Sequence, residues 1–396
     1  MKYRYSNRIE KAKASAIREI LKMMNDPEMI SFGGGNPAVE TFPIESLKNI
    51  SSRLFEESPT KVLEYGITEG DIDLRQEALQ FFSNKEDIKK EYDQVLITSG
   101  SQQIMDFIAK VLCNEDDKVI CENPSFLGAL NAFKSNGATL VGCDIEADGI
   151  NLEQVEKALQ SDVKPAFIYT IPNFQNPTGI TMSYEKRKKL YELACKYEVP
   201  ILEDNPYGDL RFEGQAIPSI KSMDEEGIVI YAASLSKIIA PGMRVAMLLA
   251  HQDIVGKVTV AKQSNDVHSN AWSQKVMANF LHETDMAEHL KKLQAVYSRK
   301  CALMLSKMEE CFDEAVSWTI PEGGMFIWVT LPDTISMLEF VQEAIKNKVA
   351  VVPGNAFYSD DSIPCQSFRM NFSMPSDENI IKGVEILGTL SKQMNK

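Results

Sequence analysis

The sequence has no run of apolar residues near the roughly 18 that a membrane-spanning helix needs. Its opening stretch, Met1 to Lys13, is too charged to supply the apolar segment of a secretory leader. Cationic residues are in deficit: 42 Lys and Arg against 56 Asp and Glu leave a formal net charge of −14. A broad basic face of the kind that grips a phosphate backbone is therefore not expected, and neither is a nucleic-acid partner. Histidines number only four, without ligand spacing, so no metal site is expected. The seven cysteines (Cys113, Cys121, Cys143, Cys195, Cys301, Cys311 and Cys365) contain no Cys-x-x-Cys pair. Such an odd, scattered set reads as small buried hydrophobes in a reducing, cytoplasmic setting, not as a disulfide framework. Repeats, low-complexity segments and long Pro/Gly linkers are also missing, which points to interleaved rather than serial domains.

What is present is the balance of a globular chain, with 44% hydrophobic and 25% charged residues. A length of 396 residues suggests two or three domains and a sizeable core. From Val95 to Ala250 short apolar runs alternate with helix-length segments. The strand candidates are Val95–Thr98, Lys118–Cys121, Thr139–Cys143, Ala166–Thr170, Pro200–Glu203, Ile228–Ala232 and Arg244–Leu249. Helices are expected over Ser101–Cys113 and Ser183–Tyr197, with Ser183 as N-cap, and Gly137 is expected just past a helix through Phe133. This alternation predicts a mostly parallel sheet covered by helices. Asp285–Cys311 reads as one long helix burying Leu290, Leu293, Tyr297, Cys301 and Met304, followed by a smaller α/β unit. The Ile9–Met24 region reads as a helix packing with that unit.

In an open α/β sheet, ligands bind beyond the carboxyl ends of the strands. After Val95–Thr98 comes Ser99-Gly100-Ser101-Gln102, a small-residue turn opening a helix, which is either an anion site or a plain capping turn. After Pro200–Glu203 comes Asp204-Asn205-Pro206-Tyr207-Gly208, whose carboxylate is either solvated or paired with a cationic ring nitrogen. After Ile228–Ala232 come Ser234-Leu235-Ser236-Lys237 and, one loop later, Gly242-Met243-Arg244. Serine hydroxyls and a forked guanidinium suit a phosphate, and a lysine with a lowered pKa suits a Schiff base. Gly33-Gly34-Gly35 lacks the spacing of a dinucleotide fingerprint and reads as a loop where backbone approaches a ligand.

Taken together, these motifs resemble those of the fold-type-I pyridoxal-phosphate (PLP) enzymes of the class I/II aminotransferase group. Ser-x-Ser-Lys with Gly-Met-Arg is similar to the group's cofactor-lysine region, and Asn176-Pro177-Thr178-Gly179 to its Asn-Pro-Thr-Gly element. Glu203-Asp204-Asn205-Pro206-Tyr207 resembles its Asp-x-x-Tyr element, and Phe368-Arg369-Met370-Asn371-Phe372 its carboxylate-binding strand. Tyr65-Gly66, Thr68-Glu69-Gly70 and Leu74-Arg75 resemble a further stretch. The motifs run in the group's order from Ser31 to Phe372. Ser31-Phe32-Gly33-Gly34-Gly35-Asn36-Pro37 and Ser99-Gly100-Ser101-Gln102-Gln103 are most similar to the 2-aminoadipate and kynurenine aminotransferase subgroup.

The resemblance implies an α/β fold with a large PLP domain over 51–286, and a small domain combining 1–50 with 287–396. It implies a Schiff base on Lys237, with Asp204 against the pyridine nitrogen, Asn176 and Tyr207 on the ring's 3-oxygen and Phe126 on the ring face. Ser101, Gln102, Ser234, Ser236 and Arg244 would cradle the phosphate, joined by Tyr65 of the other subunit of a homodimer. Arg369, Asn176 and backbone near Gly35 would hold the substrate α-carboxylate. At least one of the Asn123–Pro124 and Asn176–Pro177 bonds is expected to be cis. The implied activity is ping-pong transfer of an amino group from an L-amino acid to a 2-oxo acid, 2-oxoglutarate being the expected acceptor. A C–S β-lyase on the same scaffold is the alternative. A non-catalytic PLP sensor is a third reading, disfavoured by the acidic charge and by the early position of the first motif. Lys13 stands where the subgroup carries an Arg for a distal carboxylate, and reads either as that contact without the fork or as a solvated charge.

Overall fold

The computed structural model of the chain describes residues 3–6 and 28–395, so the expected Ile9–Met24 helix and Lys13 lie outside the described residues. In chain order the described strands are β1 (Ile30–Ser31), β2 (Asp93–Thr98), β3 (Lys118–Asn123), β4 (Thr139–Glu146), β5 (Gly149–Ile150), β6 (Phe167–Thr170), β7 (Ile201–Asn205), β8 (Val229–Ser234), β9 (Ala246–His251), β10 (Ser317–Trp318), β11 (Phe326–Thr330), β12 (Val349–Ala350), β13 (Val352–Pro353) and β14 (Ser367–Asn371). Eight of them form the main sheet in the order β2-β9-β8-β7-β6-β3-β4-β5.

The run from β8 through β7, β6 and β3 to β4 is parallel. Every residue of β6 and β8 is buried, as near-continuous apolar strands covered on both faces must be. Strand β9 departs from the parallel pattern: it lies antiparallel between β2 and β8. The cause is chain length, because Leu235–Val245 is too short to make the crossover that a parallel return requires. Ala246, at the start of β9, pairs with both Thr98 and Ser234. This register sets the turn after β2, the Ser234–Lys237 segment and Arg244 side by side. Asp204 pairs with Ala232 one strand further on, at the same end of the sheet.

Helix ends follow the local chemistry. Ser183 Oγ accepts from Lys186 N at the start of Tyr184–Tyr197, and Asp285 accepts from Glu288 N at the start of Met286–Cys311. Each cap is worth about 1 kcal/mol. The long helix buries Leu290, Leu293, Tyr297, Cys301 and Met304, as its periodicity predicts. Gly137 (φ +92°) follows Leu127–Ser135 and donates its N–H to Lys134 O.

A second, antiparallel sheet, β10-β11-β14-β13, carries Arg369 on β14. The helix Asp377–Met394 packs on Met286–Cys311 beside it. Strand β1 pairs in parallel with β12, and Asn371 N donates to Phe32 O, so the segment through Gly33–Gly35 is stitched to this C-terminal unit. Helix Ile44–Glu57 packs instead on Ala271–Glu283, and a boundary at residue 51 would cut it in two. Both Asn123–Pro124 and Asn176–Pro177 are cis. Among the described residues no helix is long and apolar enough to cross a membrane.

Candidate active site

Lys237 follows β8, and its Nζ donates to Gly35 O at 2.7 Å. Burial and the neighbouring Arg369 and Arg244 guanidiniums bring its pKa down to about 8, against the pull of Asp204. Its side chain is thus poised to lose a proton near neutrality, which a nucleophilic amine requires.

Asp204 lies near the end of β7 and is buried. Its Oδ2 accepts from the Tyr169 hydroxyl at 2.9 Å, while Oδ1 has no hydrogen-bond partner among the described residues. Burial pushes its carboxyl up to about 7, although the Tyr169 bond and Lys237 draw it down. A buried carboxylate oxygen without a donor is an acceptor held ready for a cationic N–H. The next loop is braced by Asn205, whose Oδ1 accepts from Gly208 N and Asn173 Nδ2 and whose Nδ2 donates to Tyr231. It delivers Tyr207, whose hydroxyl accepts from Asn176 Nδ2 at 3.5 Å. Burial raises the Tyr207 phenol above its ordinary range, with Arg369 pulling the other way.

The turn after β2 is shaped by Gly100, at φ +80°, where a Cβ would collide with the Arg244 guanidinium. Arg244, itself left-handed at φ +55°, donates to Ser99 O and Pro241 O. Ser101 opens the helix Ser101–Leu112, whose N-terminal N–H groups face an anion favourably. Ser234 and Ser236 are buried alongside, Ser236 N donating to Ser234 Oγ. Gln102 is exposed, with Nε2 donating to Gly128 O, so its amide is turned toward the loop that carries Phe126. Tyr65 is 82% exposed and sets its ring edge against His268.

Arg369 is buried with Nη1 donating to Asn176 Oδ1 and Nη2 to Gly33 O, both at 2.8 Å. Its guanidinium lies over the rings of Phe326, at 4.2 Å, and Phe357, at 4.9 Å, and its Nε has no partner among the described residues. Burial lowers its pKa to about 10, and it remains a cation near neutrality.

Lys237, Asp204, Asn176, Tyr207, Arg369 and Gly35 are thereby brought together, and the register of β9 sets Ser101, Ser234, Ser236 and Arg244 near the same strand ends. Tyr65 makes none of the contacts described for this cluster. Sequence reasoning missed Tyr169, Phe326 and Phe357. Tyr169 falls inside a predicted strand, where alternation alone cannot single out the residue that faces a carboxylate. The residues present suit PLP: a free acceptor on Asp204 for a ring N–H, an anion cradle, and a lysine of lowered pKa.

The model of the family "Aminotransferase class I and II" matches residues 27–387. Aromatic-amino-acid aminotransferase 1 of Thermococcus litoralis is 38% identical, over 97% of this chain and 93% of its own length. The 2-aminoadipate transaminase of Thermus thermophilus is 34% identical over 96% and 94%. The crystal structure of Pyrococcus horikoshii kynurenine aminotransferase in complex with PMP superposes with a TM-score of 0.95 at 36% identity, covering 99% and 98% of the two chains.

Proposed function

The chain belongs to the class I and II aminotransferases, PLP-dependent enzymes of fold type I, and from that premise we propose how its residues divide the work. When bound, PLP supplies an electron sink that stabilises negative charge at the substrate Cα. Lys237 would hold the cofactor through Nζ, and its free amine would carry the proton to and from the substrate Cα. Asp204 Oδ1 accepts the ring N–H and keeps the ring cationic. Asn176 and Tyr207 hydrogen-bond the 3-oxygen, and Phe126 covers the ring face. Ser101, Gln102, Ser234, Ser236 and Arg244 hold the phosphate. Arg369 pairs through its fork with the substrate α-carboxylate, helped by Asn176 and the backbone at Gly35, and so orients the Cα–H bond.

The observation that carries this reading is the pair of buried, unpartnered atoms, Asp204 Oδ1 and Arg369 Nε, with Lys237 in electrostatic reach of both residues. In the same reading the active unit is a cytoplasmic homodimer in which Tyr65 of one subunit reaches the phosphate of the other. Exposed Val39, Ile44, Leu63, Tyr65, Ile67 and Ile72 supply an apolar face for that contact. The large domain begins ahead of Ile44 instead of at residue 51, because the helix there packs on Ala271–Glu283. It runs to about 286, and the small domain takes the N-terminal arm and the rest. The donor range is broad, including acidic and aromatic amino acids, with 2-oxoglutarate as acceptor and Lys13 reading a distal carboxylate.

The test is a half-reaction. Single amino acids added to the PLP-loaded protein without keto acid convert its visible absorbance band, and 2-oxoglutarate restores it. Steady release of ammonia with no acceptor present would instead indicate a lyase.

A further inference from the structure

Glu122 is the penultimate residue of β3 and is only 1% exposed. Its carboxylate is met by neutral donors. Oε1 accepts from Thr170 Oγ1 at 2.5 Å and Ile171 N at 3.1 Å, and Oε2 accepts from Gln175 Nε2 at 3.0 Å and, more distantly, from Ile171 N at 3.3 Å. Gln175 is in turn held on every polar atom. Its Nε2 also donates to Pro124 O at 2.9 Å, and its Oε1 accepts from Thr178 N at 3.0 Å and Thr178 Oγ1 at 2.8 Å. Its backbone N–H donates to Ile180 O, and its carbonyl accepts from Gly179 N. The next residue is Asn176, which accepts from Arg369.

We propose that Glu122 is a positioning residue: by clamping Gln175 it fixes Asn176, and through Asn176 it sets the Arg369 fork that receives the substrate carboxylate. The proposal rests on the reading of Asn176 and Arg369 given above.

The chemistry requires an acceptor on both oxygens of residue 122. With glutamine in its place, one orientation sets an NH₂ against Gln175 Nε2, and the flipped one sets it against Ile171 N–H and leaves that N–H only its longer, 3.3 Å contact. Thr170 can rotate its hydroxyl to accept, but neither of those two donors can. Gln175 cannot flip to compensate, since its amide nitrogen would then face Thr178 N–H and its oxygen would face Pro124 O. Either orientation therefore sets a buried donor against a donor, and relief requires Ile171 or the Gln175–Asn176 segment to move. Burial raises the Glu122 carboxyl to about 7, while Thr170, Gln175 and Ile171 draw it down by donating to it.

The experiment is a double-mutant cycle on the PLP-loaded enzyme with E122Q, N176A and the double variant. Donor KM and kcat are measured, and crystal structures of wild type and E122Q are compared. E122Q is expected to raise donor KM about tenfold or more. It is expected to add little in the N176A background. Its structure is expected to lack the Asn176–Arg369 contact, which is 2.8 Å in the wild type. Additive losses, an unchanged KM, or an intact contact in E122Q overturn the proposal. If N176A itself leaves donor KM unchanged, the assignment of Asn176 to the carboxylate site fails and this proposal falls with it. If N176A is impaired while E122Q is additive or silent, only the positioning role is lost. Should E122Q fail to fold, Gln175→Met keeps side-chain length without a donor and enters the same cycle with the same outcomes.

Discussion

Two buried arginines of this protein serve opposite ends. Arg187, on the Tyr184–Tyr197 helix, places all five of its N–H groups. Nε donates to Met182 O, Nη1 to Ile217 O and Pro218 O, and Nη2 to Pro172 O and Asn173 Oδ1. Arg369 is as deeply buried, yet among the described residues its Nε has no partner and its faces rest on two phenyl rings. Burial lowers both pKa values to about 10. The lysines repeat the contrast. Lys221 Nζ spends its three donors on Asp93, Asp224 and Val229 O, whereas Lys237 Nζ meets Gly35 O. Arg187 and Lys221 are saturated, and Arg369 and Lys237 are held short of saturation. An unsatisfied buried donor costs about 1–3 kcal/mol, and a ligand that satisfies it recovers that cost on binding.

The sharpest way to break the contrast is to remove one lysine of each kind. Lys237→Met is expected to lower turnover by about 10²–10⁴-fold, the usual reach of a positioned acid–base group, with no loss of folding stability. Lys221→Met should do the reverse. Two carboxylates left buried and unpaired cost about 3–5 kcal/mol in urea unfolding, while kcat of the folded fraction is unchanged. Equal stability losses in the two variants would erase the distinction.

The arginines give the next largest effect. Arg369→Lys keeps the charge but loses the planar fork, so kcat/KM for amino donors should fall about 10–100-fold. Arg187→Lys can fill at most three of the five contacts, and should lower unfolding free energy by about 1–3 kcal/mol with donor KM unchanged. Steady-state kinetics and denaturant titration on both variants decide it. A rise in donor KM for Arg187→Lys would show that the framework arginine also tunes the site.

Much of the site was legible because its residues stand at strand ends in a fixed order. Lys237, Asp204 and Arg369 each follow from an apolar run and the polar residue that closes or interrupts it. Strand limits were also readable where the apolar run is nearly continuous, as in β6 and β8. The antiparallel insertion of β9 was not, because apolar runs carry no direction; only the short Leu235–Val245 link betrays it. Tyr169 and Glu122 were missed for another reason. Each lies within a strand, and whether such a side chain faces the site or the core depends on register with a neighbour distant in sequence. Phe357 and Gly33 meet Arg369 from segments more than 300 residues apart, a proximity that periodicity cannot encode.

The smallest expected effect is a slope. Unfolded, Lys237 would titrate near its ordinary value of 10.5, whereas in the fold burial brings it down to about 8. Between those values the unfolded chain holds more protons, so stability of the cofactor-free protein rises with pH across that window. Below about pH 8 the cost of the buried ammonium is fully present. The slope from one such group is at most about 1.4 kcal/mol per pH unit. Asp204 works in the opposite direction: burial raises its carboxyl from 3.8 to about 7, so the fold holds more protons there and stability falls as pH rises through that window. The pair therefore contributes least between about pH 7 and 8, where the enzyme must bind PLP and where relief of that cost helps binding most. Urea unfolding of the cofactor-free protein at a series of pH values tests this, with Lys237→Met flattening the alkaline slope and Asp204→Asn the acidic one. If Lys237→Met leaves the alkaline slope intact, burial does not hold Lys237 away from its ordinary value. The contrast between saturated and unsaturated cations would then rest on hydrogen bonding alone.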